Sequence, residues 1–298
     1  MSVMLDYDSI AAICRAAEEK QMTISALVLS DQAEQMEIPA DELYERMKKS
    51  LHVMQEAVRE GKNPELRSTS GLTGGDAAKV GAYAETGGIT GKFLNHAIAR
   101  AVAVSEYNAA MGKIVASPTA GSCGILPGTV VSMLEEGRCD EHAAVMALFT
   151  AGAIGMVIAG QASIAGAQGG CQAECGSASA MAAAALVELK GGSPAQAAHA
   201  CAMALKNQLG LVCDPVAGLV EVPCIKRNVA GVMIAFSSAE MALAGIESKI
   251  PADECVSAMY EVGQSMPASL RETAQGGLAA TPTGKRLKQE IFGPRVSQ

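Results

Sequence analysis

The chain has no tryptophan, and aromatic residues make up only 3% of its 298 positions. A core without rigid aromatic anchors has to be built from small side chains, and Ala, Gly and Met are abundant here. Alternating Val/Ile runs are scarce and Ala is the best helix former, so an all-α fold is expected. Positive charge is short as well. Lys and Arg number 23 against 31 Asp and Glu, a net charge of −8. Nucleic-acid binding needs a basic face and docking to anionic membranes a basic patch, so neither partner is expected. The start, MSVMLDYDSI, has acids early and no basic segment followed by an apolar run, so no signal peptide is expected and the chain is read as cytoplasmic.

Familiar motifs are missing too. There is no GxSxG elbow, no GxGxxG after a strand and no GxxxxGK[ST] loop; TPTGKRL resembles the last only in its Gly-Lys. The four histidines (His52, His96, His142, His199) are scattered on helical patterns without a second ligand and read as surface or core residues. Charge is absent from Ala143 to Ala173. Length alone permits a membrane span. Gln161, Gln168, recurrent Gly and the lack of a Trp/Tyr belt or basic flank favour instead a helix buried on all sides.

Helical spacing and start signals place amphipathic helices in the first 60 residues, which are more polar than the rest and readable as a subdomain (1–60) before a larger helical domain (61–298). Further helices are expected at about 93–111, 128–136, 141–165, 174–190, after Ser193-Pro194 to Gly210, at 228–245 and after 250–254. Two loops rich in Gly, Ser and Thr run into helical patterns: 61–80, with STSGLTGGD, and 116–129, with SPTAGSCG. Backbone N–H groups and hydroxyls at such junctions suit an anion. A helix cap or tight turn explains them equally well. Lys79 and Lys113 lie near these loops and read first as solvated.

Nine cysteines remain to be explained. Without secretion, reduced thiols or ligands are favoured over disulfides. Cys14, Cys139, Cys201 and Cys255 sit in helical or surface patterns, as small hydrophobes do. Cys171, Cys213 and Cys224 lie beside Gly or Pro at element ends, the last two bracketing CDPVAGLVEVPC. Cys175 is one helical turn from Cys171, and Cys123 lies in a Gly-rich loop; both are ambiguous. No CxxC pair supports structural zinc, and ferredoxin spacings are absent. Spacing alone leaves two readings open: buried free thiols, or a cluster assembled by the fold with one iron open as a Lewis acid.

Four segments, SPTAGSCGILPG, GGCQAECGSASAMAAAALVE, LKNQLGLVCDPVAGLVEVPCIKRN and RETAQGGLAATPTG, stand in an order that resembles the alpha subunit of the iron–sulfur-dependent bacterial L-serine dehydratases. The similarity runs from the SGLTGGD loop to the tail and is weakest in the first 60 residues. It implies an all-α catalytic domain and a [4Fe–4S] cluster held by Cys171, Cys213 and Cys224. It also implies conversion of L-serine to pyruvate and ammonia. Ser70, Gly71, Thr73 and Gly74 in one loop, and Ser117, Thr119, Gly121 and Ser122 in the other, become candidates for the substrate's carboxylate and ammonium. No base is named by the resemblance. Related activity on L-threonine or L-cysteine, or a redox or sensing role, is the alternative. Single-chain members carry a cysteine soon after GGLA that can occupy the open iron; here GGLA (276–279) is followed by ATPTGKRLKQEIFG, without one. The family also needs a beta portion. No stretch of this chain supplies it, so a separate beta subunit is the expected partner.

Overall fold

Helices begin where a side chain or a proline is ready to satisfy them. The Ser9 hydroxyl accepts the Ala12 N–H at the start of α1 (Ile10–Glu19), and the Thr23 hydroxyl accepts the Ala26 N–H ahead of α2 (Ile24–Gln35). Pro39 precedes α3 (Ala40–Gly61), whose first turn carries Asp41 and Glu42 toward the positive end of the helix dipole. Caps of this kind contribute about 1 kcal/mol each. Two shorter starts follow, α4 (Asp76–Ala84) and α5 (Gly91–Ala109).

The computed structural model describes residues 7–293. The first six residues, on which the absence of a leader was partly read, and the last five lie outside that range. A π-helical turn (Pro127–Val131) runs into α6 (Ser132–Glu135), where a single helix was expected at 128–136. The cause is local: the Thr129 hydroxyl donates back to the carbonyls of Ile125 and Leu126, and Ser132 to Gly128. Then come α7 (Glu141–Gln161), capped by Asp140, and the short α8 (Gly166–Gly169). A second π-helical turn (Gln172–Gly176) leads into α9 (Ser177–Leu189). The capping box of Ser193 and Gln196 opens α10 (Pro194–Lys206) as expected. The remaining helices are α11 (Cys224–Leu243), α12 (Ala252–Ser265) and α13 (Pro282–Phe292). Helix α11 begins four residues earlier than the pattern suggested, so Cys224 is its first residue.

Among the described residues there is no strand; the one extended pairing is an isolated parallel bridge between Cys213 and Arg271. The fold is all-α. At its centre is α9, buried from Ser177 to Val187 and packed against α7, α10 and α11. Alanine and small residues let these axes approach closely. At Gly61 of α3, an added Cβ would run into the Ala103 backbone of α5. The charge-free helix α7 passes the length and hydropathy test for a membrane span, yet 67% of its apolar window is buried against protein. One apolar core runs from Ile10 of α1 through α7 and α9 to Met259 of α12.

Candidate active site

The three cysteines singled out by their Gly/Pro settings arrive from three different segments. Cys171 precedes the π-helical turn into α9, Cys213 follows α10 in extended backbone, and Cys224 opens α11. All three are buried, and none is in a disulfide. Cross-links hold the segments together. Gln172 N–H donates to Leu211 O (2.9 Å), and Gly210 N–H to the Gln172 side chain (2.9 Å). Val216 N–H donates to Val222 O (2.8 Å), closing the 213–224 stretch on itself. The tail is strapped alongside: Cys213 N–H donates to Leu270 O and Glu272 N–H to Cys213 O.

Electrostatics show that the thiols share one neighbourhood. Burial raises the Cys213 thiol well above its ordinary value, with Glu174, Cys171 and Cys224 adding to the rise. Burial pushes Cys224 up to about 12, helped by Cys171 and Glu174. Cys171 goes the other way. The hydrogen bond it shares with Cys175, Sγ to Sγ 3.4 Å, lowers it against the effect of burial, and the nearby Arg227 cation helps. Arg227 is held by Val212 O (2.7 Å) and by Asp214 (2.8 Å), a buried ion pair within the same loop. Asp214 in turn accepts the Leu278 N–H (2.7 Å), which docks GGLA beside Cys213. Gly277, at φ +56°, has no room for a Cβ against Asp214.

Two acids that the motifs did not single out, Glu221 buried and Glu174 partly so, organise the rest. Glu174 accepts the Thr119 hydroxyl (2.8 Å) and lies 4.0 Å from Cys213 Sγ. Burial raises its pKa. Gly121 and Gly166 leave space for it, since a Cβ on either would lie within 2.8 Å of a Glu174 carboxyl oxygen. Glu221 accepts hydroxyl protons from Ser70 (3.0 Å) and Thr73 (2.8 Å). A signal for Glu174 was present: it is the one charged residue between Ala143 and Val187. Asn228, fully buried on α11, ties the second loop to the Cys224 turn. It accepts from Gly124 N–H (2.9 Å) and donates to Gly121 O (2.7 Å) and Cys224 O (3.0 Å).

The candidate substrate loops therefore flank the cysteines. Ser70 and Thr73 meet the 213–224 stretch through Glu221, while Gly71 and Gly74 hold positive-φ turns of the same loop. Thr119, Gly121 and Ser122 meet the Cys171 turn through Glu174, with Ser122 in a capping box with Thr119. Ser117 Oγ is buried with no hydrogen-bond partner among the described residues. Lys79 pairs at the surface with Asp76, which also takes Lys226 from the first turn of α11. Of the other cysteines, Cys123 is wholly buried with its pKa pushed up to about 12 by desolvation, as an inert thiol is.

Family comparison now bears on these contacts. The family description "Serine dehydratase alpha chain" matches residues 19–279. The chain belongs to the serine dehydratase alpha chain family. It is 51% identical over 288 residues to "Probable L-serine dehydratase, alpha chain" of Bacillus subtilis, covering 96% of each chain. It is 45% identical over 281 residues to "L-serine dehydratase, alpha chain" of Peptoniphilus asaccharolyticus, covering 94% of this chain and 96% of that one. Against "L-serine dehydratase" of Streptomyces coelicolor it is 38% identical over 274 residues, 90% of this chain but only 59% of that one.

The donor set can be tested against an iron–sulfur cluster. Among the described residues no group of three His, Cys, Asp or Glu side chains converges closely enough for a single metal ion. A polynuclear cluster takes each thiolate at a separate iron, so its ligands do not converge on one point. Three mutually sensed, buried thiols beside an arginine cation fit such a group, since the cation offsets thiolate charge in a dry setting.

Proposed function

We propose that the chain is the cluster-bearing alpha subunit of an L-serine dehydratase, converting L-serine to pyruvate and ammonia, with Cys171, Cys213 and Cys224 holding a [4Fe–4S] cluster. Membership of the dehydratase alpha chain family supports the reaction class. The observation that carries the site is that three buried thiols from separate segments act on one another and on Glu174, which holds the Thr119 hydroxyl of the second loop. When bound, the cluster would supply a Lewis acid at the iron without a cysteine, for the substrate's carboxylate and β-hydroxyl.

The chain's own residues do the remaining work. The packed segments around Cys213 exclude water, so fixed dipoles act in a low dielectric. Ser117 Oγ, a buried donor without a partner, suits a polar group of the substrate. Glu174 is the group at which a proton is held or moved, because burial keeps its carboxyl more basic than usual within the Thr119–Cys213 contact. Loss of the α-proton and of the β-hydroxyl as water gives 2-aminoacrylate. This tautomerises to the imine, and one water hydrolyses the imine to pyruvate and ammonia.

A separate beta subunit is part of this reading. The "alpha chain" names support it, and so does the Streptomyces relative, of which the match spans only 59%. The test is anaerobic co-purification with that partner, iron loading and a pyruvate assay with L-serine. Pyruvate formed only when both subunits are present supports the reading. Iron without pyruvate from L-serine, but with product from L-threonine or L-cysteine, moves the substrate. Iron with no product from any of the three contradicts the lyase reading.

A further inference from the structure

The contacts around Glu221 leave something over. Its carboxyl is 3% exposed, and among the described residues no cation pairs with it. Oε2 accepts both the Ser70 and the Thr73 hydroxyl protons, while Oε1 accepts nothing from the described residues. Oε1 is not among the side-chain oxygens that are both unpartnered and sealed from solvent, so it is the part of this otherwise buried carboxylate that a donor from outside can reach, most favourably a charged one.

The hydroxyls can be sorted by counting protons. Each hydroxyl has one donor and two acceptor positions. With the Ser70 proton on Glu221, the Ser68 hydroxyl must donate to Ser70, 3.2 Å away. Ser70 Oγ also accepts the Leu72 N–H (3.1 Å). Its capacity is then full, so Ser70 is a strut of the loop. Thr73 also donates to Glu221, but its oxygen accepts nothing from the described residues. The open capacity here is therefore acceptor only: Glu221 Oε1 and the lone pairs of Thr73 Oγ1. The carboxylate behind Thr73 polarises that hydroxyl and makes its oxygen a better acceptor still. An anion is repelled by such a site and an ammonium is attracted. Glu221 lies three residues from Cys224, and its carbonyl accepts the Ile225 N–H in the first turn of α11, so the site is fixed to the start of the helix that Cys224 opens.

We propose that Glu221 and Thr73 seat the α-ammonium of the amino-acid substrate, which leaves the substrate carboxylate to be bound elsewhere. This rests on the L-serine reading above and assigns one group of that substrate to named atoms. It also explains why an amino acid would be preferred over the corresponding hydroxy acid.

The test is Glu221→Gln in the anaerobic, iron-loaded alpha–beta enzyme. L-Glycerate, which has a hydroxyl where L-serine has the ammonium, is the control ligand. The expected result is a KM for L-serine raised at least about tenfold, the loss of one charge-assisted hydrogen bond. The inhibition constant of L-glycerate stays within about twofold, since no ammonium is involved. Iron content is unchanged. Equal weakening of both ligands, or an unchanged KM for L-serine, overturns the inference while leaving the dehydratase reading intact. Where E221Q folds poorly, Thr73→Val decides the matter. The same split between L-serine and L-glycerate supports the seat, and no split overturns it. Wild-type enzyme that carries iron but makes no pyruvate overturns the parent reading and the inference with it.

Discussion

The two glycine-rich loops look alike in sequence and differ in what they fold against. The 68–76 loop gives two hydroxyl protons to Glu221 and keeps its geometry through Ser68, Ser70 and Thr73. The 117–124 loop gives one, from Thr119, to Glu174 and is anchored to α11 by Asn228. Glu221 offers its free oxygen beside Cys224, and burial leaves Glu174 able to hold a proton beside Cys213. The lesson is that a hydroxyl-rich loop is not in itself an anion site. What its protons are already committed to decides which charge it can receive.

The comparison breaks most sharply at Glu174. Replacing it with glutamine should lower kcat at least about a hundredfold, the usual scale for removing a proton-transfer group. KM for L-serine and iron content should change little, the opposite of the KM effect expected at Glu221. Pyruvate kinetics with iron analysis checks this, and a kcat within a few-fold of wild type would make the two glutamates equivalent scaffolds.

The anchors come next in size. Asn228→Ala leaves Gly124 N–H and Gly121 O without their side-chain partner and should cost about 2–4 kcal/mol in urea unfolding. Ser70→Ala in the other loop strands mainly the Leu72 N–H and should cost about 1 kcal/mol, with KM for L-serine unchanged. A large KM effect for Ser70→Ala would show that the proton count around Glu221 is wrong.

The smallest effect is a pH slope. The folded pKa of Glu174 lies above its unfolded value of 4.5, so the folded protein binds the proton more tightly. That contribution is fully present below the unfolded value and is lost as pH rises through the raised folded value. Melting of the metal-free chain should therefore show a decline with rising pH that E174Q lessens. An unchanged slope in the variant would contradict the assigned shift.

Much of the fold was legible because its signals are local. Ser193-Pro194, the amphipathic run of α3 and the charge-free α7 each declare a helix through nearest neighbours. The early start of α11 was hidden by prolines and Val residues in CDPVAGLVEVPC that read as loop. Helix α13 was obscured by the Gly-Lys of TPTGKRL, whose Thr281 is in fact an N-cap. At the site, the cysteines and loops were visible as motifs. Of their organisers, Glu174 stood out as a lone charge in an apolar run, but Glu221 and Asn228 did not, because Glu221 meets Ser70 across 151 residues and Asn228 meets Gly124 across 104, and one sequence without tertiary contacts carries no sign of either pairing.

The central claim is that Cys171, Cys213 and Cys224 act together on one cluster. The most direct measurement is iron and sulfide content after anaerobic reconstitution of the wild-type chain and of each Cys→Ser variant. The account predicts about four irons per wild-type chain and a large loss in each of the three variants. Cys123→Ser, by contrast, should keep its iron. A wild-type chain that takes up no iron, or variants that retain all of it, would contradict the account.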